Sequence, residues 1–374
     1  MRAERRRHYL KNSLKIFSDV ALRGRYDFEY DLMPCRSSNM PARKRLNLLM
    51  AGGNLMHQRL RPWSMPIHMH TELVNYCNLR CGVCPTGIGA LKRKPQAMDP
   101  ALFERVMNEA GPYLLSTSLW GWGEPLLHPE LPEILRLQQG RGIVTFLSTN
   151  GQNLDDERIL KALIDYPPTY LIVALDGITN QTNSKFRVGA RLEPALEGVQ
   201  SLARMKRKKN QTYPILHHRF IAMKHNEHEL KELPDFSARN HFEILTVRTL
   251  SIIDTPDASF EKFRPAEEDY RAYEYEDGRR ISRSDFICEG AFIFPAVFAD
   301  GTVVACDQDC NAQQAMGNMN HGKTFKEVWF SRRAREVRRT IRDAPDSLSF
   351  CRSCPFKDRP VTDCSIRRYN LQKE

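Results

Sequence analysis

No run of about 18 apolar residues occurs in the 374-residue chain, so the sequence offers no segment that would cross a bilayer as a helix. An apolar leader is missing too. The start, Met1 to Arg7, is basic, but Lys11, Lys15 and Asp19 interrupt the stretch after it, which makes the cytoplasm the expected location. Spacing argues against a disulfide framework. Ten cysteines would suit one in a far shorter chain, and here nine fall in two distant groups with Cys-x2-Cys elements, as reduced, metal-binding thiols do. No recognisable nucleic-acid-binding module is present, so nucleic acid is not an expected partner despite a net charge of +11. That charge is uneven: residues 1–70 hold 14 Lys/Arg against 5 Asp/Glu, a surplus of nine that leaves two for the remainder. The basic end reads either as a solvated helix, with Arg5, Arg6 and Arg7 outside, or as a contact for an acidic partner such as a phosphorylated substrate or an anionic lipid surface.

What is there suits a large α/β domain and a smaller one with ample core. Residues 1–64 carry helical patterning (Leu10, Leu14, Phe17, later Leu46, Leu49, Met50) broken by Pro34, Pro41 and Gly52-Gly53, and read as a helical extension. Residues 65–250 alternate strand-like and amphipathic helix-like runs, the pattern of repeated βα units on a parallel sheet. Strands are expected at 67–74, 116–122, 142–148, 169–175, 215–223 and 242–250, and helices at 100–110, 129–139, 155–164, 193–205 and 227–237. Six such units make a partial (β/α)6 TIM-type barrel, whose site belongs at the C-terminal strand ends. Residues 251–287, with Glu267, Glu268, Asp269, Glu274, Glu276 and Asp277, read as a linker. Residues 288–374 form a small cysteine-bearing domain.

The first cysteine group is Cys77-Asn78-Leu79-Arg80-Cys81-Gly82-Val83-Cys84, directly after the first strand. Three thiolates on a short loop can bind three irons of a 4Fe-4S cube and leave the fourth open to a small molecule. A zinc site is the alternative, but zinc usually takes four ligands in paired knuckles, and only His70 offers itself nearby. Cys-x3-Cys-x2-Cys after a first strand resembles the signature of the radical S-adenosylmethionine (SAM) enzymes. The resemblance implies that SAM chelates the open iron, and that one electron cleaves it to methionine and a 5′-deoxyadenosyl radical able to abstract hydrogen.

Later segments resemble the same family in order. Gly121-Trp122-Gly123-Glu124-Pro125 is similar to its Gly-Gly-Glu-Pro turn, with Trp122 where a glycine is usual, which implies SAM-amine binding at Gly123, Glu124 and Pro125. Ser148-Thr149-Asn150-Gly151 is similar to its Asn-Gly turn, and Val173-Ala174-Leu175-Asp176-Gly177 to its Asp-Gly element, with Ala174 where a SAM-contacting Ser is frequent. Asn150, Asp176 and Arg187 are thereby implied in cofactor binding, Arg187 through its planar fork on the SAM carboxylate. Asn226 also fits the family's pattern. Singly these are turn residues that end strands in any βα protein. His68, His70 and Glu72 share one face of the first strand. Glu72 matches an inward acidic residue common in the family, and His68 and His70 are candidates to line the substrate cavity, as are His217, Arg219 and Arg248, while a hydrogen-bonded structural role is the competing reading for the histidines.

Cys288, Cys306, Cys310, Cys351, Cys354 and Cys364 crowd the last quarter of the chain. The Asp300-Gly301 hairpin turn, Gly317-Asn318, the helix bearing Trp329 and the closing Cys351-x2-Cys354 resemble the SPASM domain and its shortened twitch form. That implies an auxiliary 4Fe-4S cluster on Cys288, Cys306, Cys351 and Cys354; a zinc ribbon on the same thiols is the alternative. A fully ligated cluster can only pass electrons, which points to oxidation of a small metabolite or peptide substrate, possibly acidic. Asp307, directly after Cys306, matches a general base of sulfatase-maturing relatives. Redox-neutral epimerisation with Cys310 or Cys364 as hydrogen donor, peptide crosslinking, and a plain electron carrier are the alternatives. Flavodoxin or ferredoxin is the electron donor that the resemblance implies.

Overall fold

The computed structural model describes residues 15–251, 261–276, 279–281, 288–357 and 364–371. Arg5 to Arg7, Leu10, Leu14 and Asp277 lie outside the described residues. The chain enters through a hairpin, β1 (Tyr26–Tyr30) and β2 (Met33–Ser37), and then a helix, α1 (Ala42–His57). The basic extension thus holds the helix that its pattern implies and, in addition, a β-ribbon that the pattern does not announce.

Six strands then run parallel: β3 (His68–Thr71), β5 (Ser116–Ser118), β6 (Val144–Thr149), β7 (Tyr170–Ala174), β9 (Ile215–Ala222) and β10 (Ile244–Thr249). Between them the two-residue β4 (Arg80–Cys81) and β8 (Arg187–Val188) pair with each other in antiparallel sense. The connecting helices are α2 (Pro100–Ala110), α3 (Leu131–Gln138), α4 (Glu157–Asp165), α5 (Asn180–Phe186), α6 (Leu192–Lys209) and α7 (Leu233–Arg239). Local signals start them. Asp99 caps α2 by accepting from the Ala101 amide with Pro100 in the first turn, and Asp156 caps α4 through the Arg158 and Ile159 amides.

After a small ribbon, β11 (Glu274–Glu276) and β12 (Arg279–Ile281), the C-terminal region extends the same sheet at both edges. A short helix, α8 (Gly290–Ile293), leads to β13 (Ala296–Val297), which pairs in parallel with β3 and carries β14 (Thr302–Val304) and β15 (Ala315–Asn318) beyond it. Helices α9 (Phe325–Trp329), α10 (Arg332–Asp343) and α11 (Ser349–Arg352) pack behind, and β16 (Ser365–Asn370) closes the opposite edge on β10. The auxiliary domain is therefore continuous with the sheet.

Strand alternation divides the core in two. On the convex side Met69, Leu147, Leu171 and Val173 pack against Phe103, Ile134, Leu163 and Val199 of the helices. On the concave side Phe146, Tyr170, Ile172 and Ile244 meet Met33 and Cys35 of the hairpin. The hairpin thus fills the barrel interior at the end where the strands begin. Curvature of the sheet is evident from Arg219 on β9, whose guanidinium lies 5.5 Å from the ring centroid of Trp120, beyond β5. Among the described residues no helix is long and apolar enough to cross a membrane.

Candidate functional site

The loop holding Cys77, Cys81 and Cys84 comes after β3, at the C-terminal end of the parallel strands, and the β4–β8 pairing pins it to the loop after β7. Backbone geometry enforces its course: a Cβ at Gly87 would stand 2.4 Å from the Cys81 carbonyl oxygen. Donors are already aimed at sulfur, with the Leu79 amide 3.4 Å and Asn150 Nδ2 3.6 Å from Cys77 Sγ. Burial pushes the Cys77 thiol up and the Cys81 thiol up to about 12, and in each case the neighbouring thiols of the loop add to the rise. Free thiols here hold their protons, so iron must displace them on binding. Among the described residues no three His, Cys, Asp or Glu side chains converge on a single metal ion. Cys77, Cys81 and Cys84 influence one another electrostatically on one short loop, the donor set that a three-cysteine cluster site needs.

The turn after β5 lies against this loop. Gly123 is required, since a Cβ there would fall 2.4 Å from the Val74 carbonyl oxygen and 2.6 Å from that of Tyr76. Glu124 is buried, and its carboxylate is taken up inside the protein: Oε1 accepts from the Leu126 amide (3.0 Å) and Thr149 Oγ1 (2.7 Å), Oε2 from the Asn150 amide (2.7 Å). Glu124 therefore ties the turns after β5 and β6 together, and its amide donates to the Tyr76 carbonyl at 2.9 Å, which fixes the turn on the cysteine loop. Pro125 begins a short 3-10 turn and is buried. Asn150 also donates to Asn78 Oδ1 at 2.8 Å, joining the turn after β6 to the cysteine loop.

Asp176 and Arg187 meet as a buried ion pair at 2.7 Å. Asp176 Oδ1 accepts from the Ile221 amide, and Asn226 donates to the Asp176 carbonyl and to that of Ile221, so the ends of β7 and β9 are laced together. Arg187 lies within electrostatic reach of Cys81 and Cys77 and opposes the rise of the Cys81 thiol.

The second thiol set is also brought together. Burial, then Asp307, Cys288 and Cys354, pushes Cys306 well up, and burial, then Cys288 and Cys354, raises Cys351. Amides at Gly290 and Ala291 donate to Cys288, and that of Gln308 to Cys306. Cys310 and Cys364 are buried; the carbonyl of Cys310 accepts from Arg93 Nε and that of Cys364 from the Thr249 amide.

The concave face of the sheet carries a further set of polar and aromatic side chains. Tyr30, at the hairpin tip, stacks on His68 with ring centroids 4.6 Å apart and also meets Phe146 and Trp120. His68 is satisfied by Ser116 and Ser118 and is buried, which pushes its pKa well down. Asp31 pairs with Arg219, with Arg248 at 3.3 Å and with Ser365 Oγ. His217 bonds Thr246 through Nε2, while its buried Nδ1 has no partner in the protein. The His70 Nδ1 and Gln308 Oε1 atoms are likewise buried without partners. Buried polar atoms left this way cost about 1–3 kcal/mol each and mark where a polar ligand would repay them. Asp307 reaches this space: its charge is felt by Tyr30 and His70, and its Oδ1 accepts from Cys306 Sγ at 3.7 Å.

Glu72 is buried and its carboxylate is engaged by the protein. Arg93 grips it with two bonds of 2.6 Å and lies 3.9 Å from the Phe298 ring centroid, while the Trp122 and Ala299 amides donate to the same carboxylate. Sequence reasoning missed Tyr30, Asp31 and Arg93. Only the acidic Glu72 facing the interior, in need of a cation, could have pointed to one of them.

Comparisons with known proteins bear on the chain's family and fold. The family model of the radical SAM superfamily matches residues 71–236, and that of the SPASM iron-sulfur cluster-binding domain matches residues 288–355. Similar curated proteins include the tungsten-containing aldehyde ferredoxin oxidoreductase cofactor-modifying protein of Pyrococcus furiosus, 26% identical over 44% of this chain and 46% of its own length. The mycofactocin maturase MftC of Mycobacterium tuberculosis is 27% identical over 40% of this chain and 37% of its own. The chain thus spans under half the length of these relatives. Among solved structures, SuiB of Streptococcus suis bound to S-adenosylmethionine superposes with a TM-score of 0.59 at 16% identity, over 88% of this chain and 84% of that one, which establishes a shared fold.

Proposed function

From the premise that the chain belongs to the radical SAM superfamily and carries a SPASM iron-sulfur domain, we propose that it oxidises a small metabolite or peptide by removing two hydrogens. The observation that carries this reading is the position of Asp307, next in sequence to Cys306 and near enough for its charge to act on Tyr30 and His70 of the barrel. When bound, SAM on the core cluster supplies a 5′-deoxyadenosyl radical, and the auxiliary cluster supplies a one-electron acceptor.

The residues of the chain divide the remaining work. Cys77, Cys81 and Cys84 hold the core cluster, and Cys288, Cys306, Cys351 and Cys354 the auxiliary one. The backbone of Gly123 to Pro125, with Asn150, Asp176 and Arg187 at neighbouring strand ends, frames SAM. The polar groups above Tyr30, with His70 and Gln308, hold the substrate and keep it from sinking into the apolar floor. Asp307 takes the proton from a substrate O–H or N–H as the carbon beside it loses its electron; in the thiol form its Oδ1 is occupied by Cys306 Sγ–H, and ligation removes that donor.

Relatives bear names from both substrate classes, a peptide maturase and a cofactor-modifying protein among them. The chain works in the cytoplasm, with flavodoxin or ferredoxin as electron donor. The test is to offer metabolite and peptide pools to the reduced enzyme with SAM in D2O. Oxidation predicts one deoxyadenosine per product lighter by two hydrogens and free of deuterium at the reacting carbon. A product carrying one solvent deuterium and no loss of hydrogens would replace oxidation with epimerisation.

A further inference from the structure

Trp122 stands where the family's turn usually has a glycine, and its two ends lie in different parts of the molecule. Its backbone is the centre of the turn after β5: the amide donates to Glu72 Oε1 at 3.2 Å, and the carbonyl accepts from Thr86 Oγ1, two residues past Cys84. Its side chain packs against the cluster of Ala296, Phe298 and Val304 in the C-terminal hairpin. There the ring Nε1 donates to the Asp307 carbonyl at 2.9 Å, one residue from Cys306. A single side chain thus spans from the turn beside the core thiols to the peptide that carries an auxiliary-cluster ligand.

A glycine at this position would remove the direct bond from the turn to the Asp307 carbonyl and leave the turn its indirect tie through Glu72. Neighbouring contacts run the same way: the Lys92 amide donates to Asn311 Oδ1 at 2.7 Å, and Glu72 accepts from both the Trp122 and Ala299 amides. Energetic coupling between two ligand sites needs a packed connection that both sites bias, and it is reciprocal. When thiolates 288, 306, 351 and 354 are drawn onto a cluster, the Asp307–Gln308 peptide, whose N–H donates to Cys306 and whose carbonyl accepts from the indole, is fixed. Through the indole N–H that fixes the turn.

We propose that Trp122 is a positioning residue through which the filled auxiliary site pre-forms the SAM-holding turn, so that occupancy of one cluster site raises affinity for SAM at the other. This rests on the reading that residues 121–125 frame SAM.

The test is SAM binding itself, measured anaerobically by equilibrium dialysis on the reconstituted full chain, with iron content as a control. Trp122→Phe keeps a ring on the hairpin and deletes the N–H. It is expected to weaken SAM binding about fivefold or more, the lower end of ordinary coupling energies, with iron per chain unchanged. Cys351→Ser/Cys354→Ser, which removes the auxiliary cluster, should weaken SAM binding similarly on its own and add little when combined with Trp122→Phe. A residue that only packs would give additive losses. Unchanged SAM affinity in fully loaded Trp122→Phe overturns the inference while leaving SAM binding by the turn intact. A wild type that holds both clusters and binds no SAM overturns the reading of the turn. Should the double-serine variant fail to fold, the comparison of loaded wild type with loaded Trp122→Phe decides alone.

Discussion

At the scale of the residue, what sets this site apart is how many of its polar groups are consumed by the protein. Glu124 and Asp176 read in sequence as cofactor-binding positions and Asn226 as one that fits the family's pattern, and each uses hydrogen bonds to join one strand end to the next. His218 is a case where the pH consequence can be worked out. Burial pushes its pKa down to about 4 from the ordinary 6.5, and its ring is held between Ser237 Oγ and the Leu175 carbonyl. Because the folded value is depressed, the unfolded chain takes up the proton first. The stability contributed is full above about pH 6.5 and is lost as pH falls toward 4, at about 1.4 kcal/mol per pH unit inside that window. His218→Gln should lower the slope of unfolding free energy against pH between 6 and 5 by about that amount, read from anaerobic urea unfolding; an unaltered slope would mean that His218 titrates normally.

At the scale of the element, the parallel strands and the cysteine loop were legible because alternation and a fixed thiol spacing are local in sequence. The expected strands at 67–74, 116–122, 142–148, 169–175, 215–223 and 242–250 contain the six observed ones apart from Thr149 at the end of β6. The β1–β2 hairpin was not legible. Its two-residue turn, Asp31-Leu32, takes positive φ at both positions (55° and 60°), a geometry that ordinarily announces itself with Asn-Gly or Asp-Gly. Here a leucine occupies the second position, and what holds the turn is a set of partners far away in sequence: Arg219, Arg248 and Ser365 on Asp31, and Arg368 on the Leu32 carbonyl. Removing the carboxylate with Asp31→Ala should cost about 3–5 kcal/mol, the ordinary result of breaking a buried pair and leaving a guanidinium behind. The urea midpoint measures it, and a loss below about 1 kcal/mol would show the hairpin to be dispensable to the barrel. The Arg93–Glu72 pair escaped sequence reasoning for the same physical cause, since nothing local to either residue specifies a partner on another loop.

At the scale of the molecule, one sheet of ten strands carries both thiol sets. The SPASM hairpin joins beside β3, the strand that leads into the core cysteine loop, so the two sites share a rigid edge and the barrel interior lies between them. Sequence separation concealed this, because β13 pairs with β3 from more than 200 residues away. The hairpin floor from below and the cluster loops from above leave a polar layer at Tyr30, His70, His217 and Asp307, which is where the proposed oxidation places its substrate. The most direct test of the account is an anaerobic iron and sulfide count with Mössbauer spectra, run on reconstituted wild type and on Cys77/Cys81/Cys84→Ala, with deoxyadenosine assayed after dithionite and SAM. Two 4Fe-4S clusters predict about eight irons in the wild type and about four in the variant, with deoxyadenosine made only by the wild type. Zinc in place of the variant's remaining iron would contradict the auxiliary assignment, and a fully loaded wild type that leaves SAM intact would contradict the radical chemistry.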